Sequence, residues 1–234
     1  MMNYLTFGKI NTKNFNAFVS GESTFVTAER DIEVIPIPGR NGTLSVDNGR
    51  FHNVSIVYPC FIVDSFRANY DALRAAFLSE SGYNKLIDTY DPDHYRRARY
   101  TAAIDPEMTQ LNRHGKFDLA FDCDPRRFLV SGDKVVTFSA NGSIKNPTLY
   151  NALPFIRAYG TGYFEISGVR VTITSASTYT DIDCELQEAY KGSTNCNGNI
   201  TLNNGEFPKL IPGINQVTIS GLSRIELSPR WWTI

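Results

Sequence analysis

Four groups of residues in this 234-residue chain have the types that do chemistry. The first is "DPDHYRRAR", where Asp91, Asp93 and His94 stand close to Arg96, Arg97 and Arg99. Carboxylate, imidazole and guanidinium groups can be arranged for general acid–base work, but nothing in this spacing fixes their geometry, and a charged interface cluster asks less of the fold. The second is the pair Asp122 and Asp124, set beside Arg126 and Arg127. Ion pairing explains that grouping more simply than a catalytic dyad. The third is Asp181, Asp183 and Glu185, which alternate along a strand-like segment and so share a face. Calcium takes six or more oxygens, usually from a compact loop, which a strand does not supply. The fourth is the cysteines Cys60, Cys123, Cys184 and Cys196 with His52, His94 and His114. They contain no Cys-x-x-Cys pair and no zinc-ligand spacing, so buried free thiols are expected. The residues thus predict no catalytic group, no metal and no cofactor.

A fifth stretch, "EVIPIPGRNGTLSVDNGRF", places Gly39 and Gly42 around Arg40-Asn41, in the manner of a loop that cradles phosphate. A phosphate loop needs a helix N-terminus behind it and usually a Lys-Ser/Thr pair. Thr-Leu-Ser-Val-Asp follows instead, which is strand-like. Pro38-Gly39 suits a type II turn and Asn41-Gly42 a type I′ hairpin turn, so the stretch predicts a hairpin.

The elements that would position these groups are mostly strands. Fifteen Phe, twelve Tyr and many short β-branched runs point that way. Residues 1–63 read as strands and turns, one turn falling at Gly21-Glu22. In "FHNVSIVYPCFIV", Val54, Ile56 and Tyr58 alternate with Asn53, Ser55 and Val57. One helix is expected in "DSFRANYDALRAAFLSESG", where Phe66, Tyr70, Leu73 and Phe77 recur on one face, Asp64 or Ser65 can cap the start, and Gly82 stops the end. The last hundred residues are all β in pattern, with a hairpin about Ser167-Gly168 and turns that imply a sandwich or barrel. The polar turn Ser131-Gly132-Asp133-Lys134 marks the expected boundary between domains 1–133 and 134–234.

Composition narrows function further. The net charge is −1, which argues against a binder that works by neutralising phosphates. The N-terminal residues lack the apolar core of a signal peptide, and no apolar run approaches the roughly 20 residues of a membrane helix. The expectation is a chain made and folded in a cytosol, binding neither nucleic acid nor membrane.

The C-terminal segment then gives a resemblance. "DIDCELQEAY", "GEFPKLIPGIN", "VTISG" and a terminal strand through "PRW" stand in the order found in distal tail (Dit) proteins of long non-contractile-tailed phages. "IPGRNGTL", the helix, "DPDHYRRARY" and "FDCDPRRF" continue the likeness through the N-terminal half. The resemblance implies a mainly β fold with an α+β N-terminal domain. It implies that residues 1–133 form a β-barrel-like, ring-forming domain with one packed helix, and residues 134–234 a galectin-like β-sandwich. It also implies a hexameric ring at the tail tip, assembled in the host bacterial cytoplasm. Its partners are the tail tube protein, the tape-measure protein, the tail-associated hub or fibre protein and the receptor-binding protein. The residues expected at the subunit interface are Gly39, Arg40, Asn41 and Gly42 in the hairpin, and Arg96, Arg97 and Arg99 after the helix. The competing reading is a carbohydrate-binding module for wall glycans using Trp231 or Trp232. Adjacent strand residues face opposite ways, so at most one of the two joins a flat platform.

Overall fold

The computed structural model describes residues 2–20, 26–109, 113–176 and 178–234, with main chain alone at 108 and 109. The turn expected at Gly21-Glu22 lies outside the described residues. The fold is mainly β, and among the described residues one segment, Phe66–Ser79, is α-helical. No described helix is long and apolar enough to cross a membrane. The chain divides into two compact units, residues 1–127 with Ile234, and residues 128–233.

The first unit is built on a curled sheet of half-barrel form. The strand order is Ile10–Asn11, Leu5–Phe7, Asn84–Asp88, His94–Tyr100, His114–Leu129, Val54–Ile62, Ala17–Val19. Strand alternation decides what is buried. Val54, Ile56, Tyr58, Cys60 and Ile62 point inward while Ser55 and Val57 are exposed, and Phe117, Leu119 and Phe121 do the same on the paired strand. The helix lies over this inner face, and its expected stripe of Phe66, Tyr70, Leu73 and Phe77 is buried to the last residue. Phe77 sits among aromatic rings, with centroids 5.7 Å from Phe7, 5.1 Å from Tyr100 and 5.9 Å from Phe121.

The start of the helix differs from expectation. Ser65 occupies the capping position but has a left-handed backbone (φ 50°) and makes no side-chain cap bond, and Asp64 supplies only its carbonyl. Asn69 reaches back instead, its Nδ2 donating to the Asp64 carbonyl oxygen at 2.8 Å. A left-handed residue turns the chain sharply out of the preceding strand, which carries the Ser65 hydroxyl away from the amides it was expected to cap.

The second unit is a sandwich of a six-stranded and a five-stranded sheet. Its core includes Ile156, Phe164, Val171, Ile182, Val217, Ile225 and Leu227. The Ser167-Gly168 turn is the expected two-residue hairpin: Ile166 pairs with Val169, and both turn residues have positive φ. Residues Val130–Asp133 form a tight 3-10 turn rather than an open linker. Gly132 is buried there, and its carbonyl accepts from the Arg230 amide at 2.8 Å. A Cβ at Gly132 would stand 2.4 Å from the Trp231 amide nitrogen, so only glycine lets the two segments approach.

Candidate functional site

Among the described residues, Arg30–Pro36 and Thr43–Phe51 pair only with each other, forming a two-stranded sheet separate from the rest. Register pairs Pro36 with Thr43, so residues 37–42 make the tip. The Arg40 amide donates to the Ile37 carbonyl at 3.2 Å with Gly39 at φ 77°, which is the Pro-Gly reversal expected from the sequence. The Asn41-Gly42 turn is not of type I′: Gly42 has φ 86°, but Asn41 is not left-handed, and that turn needs both. The proline-led turn has already reversed the chain, leaving Asn41-Gly42 to close a longer loop.

Both faces of this hairpin, hereafter the arm, carry apolar side chains in the open. Ile35 with Leu44 and Glu33 with Val46 share one face, while Ile32 with Asp47 and Val34 with Ser45 share the other. Val34 is 57% exposed and Leu44 50%. A lone two-stranded hairpin is marginal in water, and contiguous exposed apolar surface marks an interaction site. The end near the body is polar. Arg30 pairs with Asp47 at 3.0 Å, and Asp31 accepts from Arg50 at 2.6 Å and from Asn48 at 3.1 Å. These donors hold the Asp31 carboxyl below its ordinary range, the Arg50 bond first.

The three arginines expected at the interface part company. On a strand, Arg96 faces opposite to Arg97 and Arg99. Arg96, expected at the subunit interface, is buried in the protomer at 7% exposure. Its guanidinium donates to three main-chain carbonyls, at 2.8 Å to Val26, 2.9 Å to Pro125 and a long 3.5 Å to Asp124. Val26 leads into the arm, so Arg96 holds the arm's root from inside. Arg99 faces outward and bonds Asp122 at 2.6 Å, and Asn53 bonds the same carboxylate at 3.0 Å. Arg97 is half-buried on that outer side.

The acid–base grouping is ion-paired in the same way. Asp91 is engaged by Arg127 and by His94 Nδ1, and Asp124 by Arg126 at 2.6 Å. Burial works to raise both carboxyls, but these bonds outweigh it and hold them below the usual carboxylate range. The cavity beside Tyr58, Asp88 and Arg96 is about 30 Å³, room for a water or two.

In the second unit, Asp181 and Asp183 face arginines. Arg157 grips Asp181 with two bonds of 2.6 and 2.9 Å, and Arg230 grips Asp183 at 2.8 and 2.9 Å while reaching Glu185 at 3.5 Å. Neither arginine is near these acids in sequence, so the pairing was not legible there. Burial alone would raise the Asp183 carboxyl, yet the Arg230 fork and the amides of Leu186 and Glu185 bring it below its ordinary 3.8. A depressed folded value stabilises above the unfolded one and is lost as pH falls through the folded one. Wild-type stability of this unit should therefore fall as pH drops through and below the ordinary carboxylate value of 3.8. Asp183→Asn should lose about 2 kcal/mol at neutral pH and show a flatter acid limb in denaturant melts at stepped pH.

Trp231 is buried in the sandwich core, and Trp232 stacks on Tyr150 with centroids 4.4 Å apart while its Nε1 donates to the Asn151 carbonyl. Burial leaves Trp231 no face for a sugar, and Tyr150 covers one face of Trp232.

No family model matches the sequence, and no curated protein gives a significant sequence match. Solved structures do match in shape. The chain aligns over its full length with the whole of the phage SPP1 Dit protein (gp 19.1), described as a paradigm of the hub adsorption apparatus in phages infecting Gram-positive hosts, with a TM-score of 0.75 and 14% identity. It also aligns with chains of the phage P2 baseplate in its activated conformation. The calcium-bound baseplate gives a TM-score of 0.55 at 11% identity, and the strontium-bound one 0.52 at 10%. Each of these two alignments covers 97% of both chains. The likeness drawn from the sequence motifs is therefore met at the level of the fold, from end to end.

Proposed function

We propose that this chain is a structural component of a phage tail tip, a distal tail protein whose copies close into a hexameric ring between the tail tube and the adsorption apparatus. The observation that carries the reading is the arm: an apolar hairpin without cover in its own protomer, on a chain that shares its whole fold with a phage hub protein. In this reading residues 1–133 build the ring, and residues 134–234 face the adsorption proteins. Gly39, Arg40, Asn41 and Gly42 lie at the contact, with Arg97 and Arg99 on the outer sheet face and Arg96 acting from inside through Val26. The partners are further copies, the tail tube and tape-measure proteins, the hub or fibre protein and a receptor-binding protein. The role needs no catalytic group, metal or cofactor. It places the chain at the distal end of the virion tail.

A ring around a DNA channel must not hold DNA, and a near-neutral chain does not hold it strongly. Single contacts can be weak, because closing the ring makes the last one intramolecular. The test is light scattering over a concentration series, with negative-stain images, on the protein alone and with its neighbouring hub protein. Six-fold rings are expected at high concentration or with the partner. A monomer under every condition would sink the proposal.

A further inference from the structure

Five Asn-Gly pairs occur in this chain, beginning at Asn41, Asn48, Asn141, Asn197 and Asn204. An asparagine loses its side-chain amide most readily before glycine, because no Cβ keeps the glycine nitrogen from the asparagine Cγ. All five asparagines are exposed, so access to water does not distinguish them. Their hydrogen bonds do.

Three of the five are held. Asn48 donates from Nδ2 to Asp31 at 3.1 Å, and the Gly49 amide donates to Asp47 at 2.8 Å. Asn141 accepts at Oδ1 from the Ile219 amide at 2.9 Å, and Gly142 pairs with Val217 in the five-stranded sheet. Asn197 accepts at Oδ1 from the Ala189 amide at 2.6 Å, and the pair lies inside the 3-10 turn Asn197–Asn199. Each of these side chains is tied to a different segment of the chain. Asn41 and Asn204 are not. Among the described residues, the Asn41 side chain has no hydrogen-bond partner. Asn204 accepts only from the Glu206 amide, at 3.1 Å, a bond inside its own loop that moves with it. Gly42 and Gly205 lie outside every strand, and a Cβ on either would meet nothing within 4 Å, so a five-membered ring has room to form.

We propose that Asn41 and Asn204 are sites of spontaneous deamidation, and that the bonds at Asn48, Asn141 and Asn197 protect those three. At each site the main-chain nitrogen of the glycine gives its proton to solvent base and attacks Cγ. The Cγ–Nδ2 bond breaks, ammonia leaves and a succinimide remains. Water then opens the ring at either carbonyl, giving aspartate or, with the main chain rerouted through the side chain, isoaspartate. Each event puts a carboxylate where a neutral amide stood, so the two together take the net charge from −1 to −3. At position 41 the new charge stands beside Arg40 on the arm. At position 204 it stands beside Glu206, whose partner is Lys209 at 3.2 Å.

The test is peptide mapping by mass spectrometry, with fragmentation to place each gain of about 1 Da. The full-length protein is kept dilute in mildly alkaline buffer and sampled over weeks, beside the same protein unfolded in urea. In the folded protein, positions 41 and 204 should convert at least tenfold faster than 48, 141 and 197, since closure there breaks no bond to another segment. In urea all five should convert at comparable rates. Ion exchange of the aged folded protein should show two successive acidic forms, both absent from the Asn41→Gln, Asn204→Gln double variant, whose longer side chains would need a slower six-membered closure. Equal conversion of all five positions in the folded protein overturns the protection. Conversion led by 48, 141 or 197, or positions 41 and 204 left unchanged while they react in urea, overturns the site assignment.

Discussion

Phe77→Ala should lower the unfolding free energy of the first unit by about 3–5 kcal/mol, the range for deleting a fully buried ring. Phe77 has no exposed surface and is the point where the helix, the Leu5–Phe7 strand and the long His114–Leu129 strand converge. Removing the ring takes its apolar area from the core and leaves Phe7, Tyr100 and Phe121 facing a void that rigid strands cannot fill. The neighbouring Ala75 points to solvent, and Ala75→Ser should cost well under 1 kcal/mol. Chemical denaturation followed by far-UV circular dichroism measures both. Because the chain has two compact units, the effect belongs to whichever transition also responds to other helix variants. Similar small effects from the two substitutions would show that the aromatic stripe does not anchor the helix.

The second large effect falls on assembly rather than folding. Val34→Asp combined with Leu44→Asp should weaken the contact between copies at least 100-fold and leave the unfolding free energy within the scatter of surface substitutions, about 0.5 kcal/mol. The two residues sit on opposite faces of the arm, so one of them is hit whichever face docks. Burying a Val or Leu side chain contributes about 1.5–3 kcal/mol, and each factor of ten in affinity is 1.4 kcal/mol. Placing a carboxylate in a dry contact adds a desolvation penalty. Both side chains are half or more exposed in the protomer, so their replacement removes little from its own core. Light scattering against concentration reads the first effect and thermal melts the second. An unchanged oligomer would show that the arm is not the contact.

Much of the fold could be read from local pattern. The helical stripe from Phe66 to Phe77 and the alternation of Val54 to Ile62 are periodicities, and periodicity survives in any tertiary setting that buries one face. What could not be read depends on remote partners. Asp181, Asp183 and Glu185 were visible as a row of acids, but Arg157 and Arg230 reach them only after the strands pair. The order "HYRRAR" signalled a basic cluster, whereas strand parity sends Arg96 inward to three carbonyls and leaves Arg97 and Arg99 outside. The arm shows the same limit. Alternation and turn residues foretold two paired strands, yet a hairpin lying on a core and one standing away from it have the same local pattern. Turn types followed the same division: Ser167-Gly168 sits between strands in tight register and takes the expected form, while Asn41-Gly42 follows a proline turn that had already reversed the chain.

If copies assemble through the arm as proposed, its charged end bears on what happens before they meet. During synthesis each copy displays two unpaired strand edges and two apolar faces, the conditions under which chains stack edge to edge without limit. Arg30, Asp31, Asp47 and Arg50 interrupt the apolar run within one arm's length, and the register shift between Arg30 and Ile32 breaks the straight edge at the same place. Such charges act as gatekeepers against fibre growth. They leave only the outer part of the arm adhesive, too short to template a continuous sheet. Neutralising them should make the protein aggregate during expression even where the outer part of the arm is left unchanged.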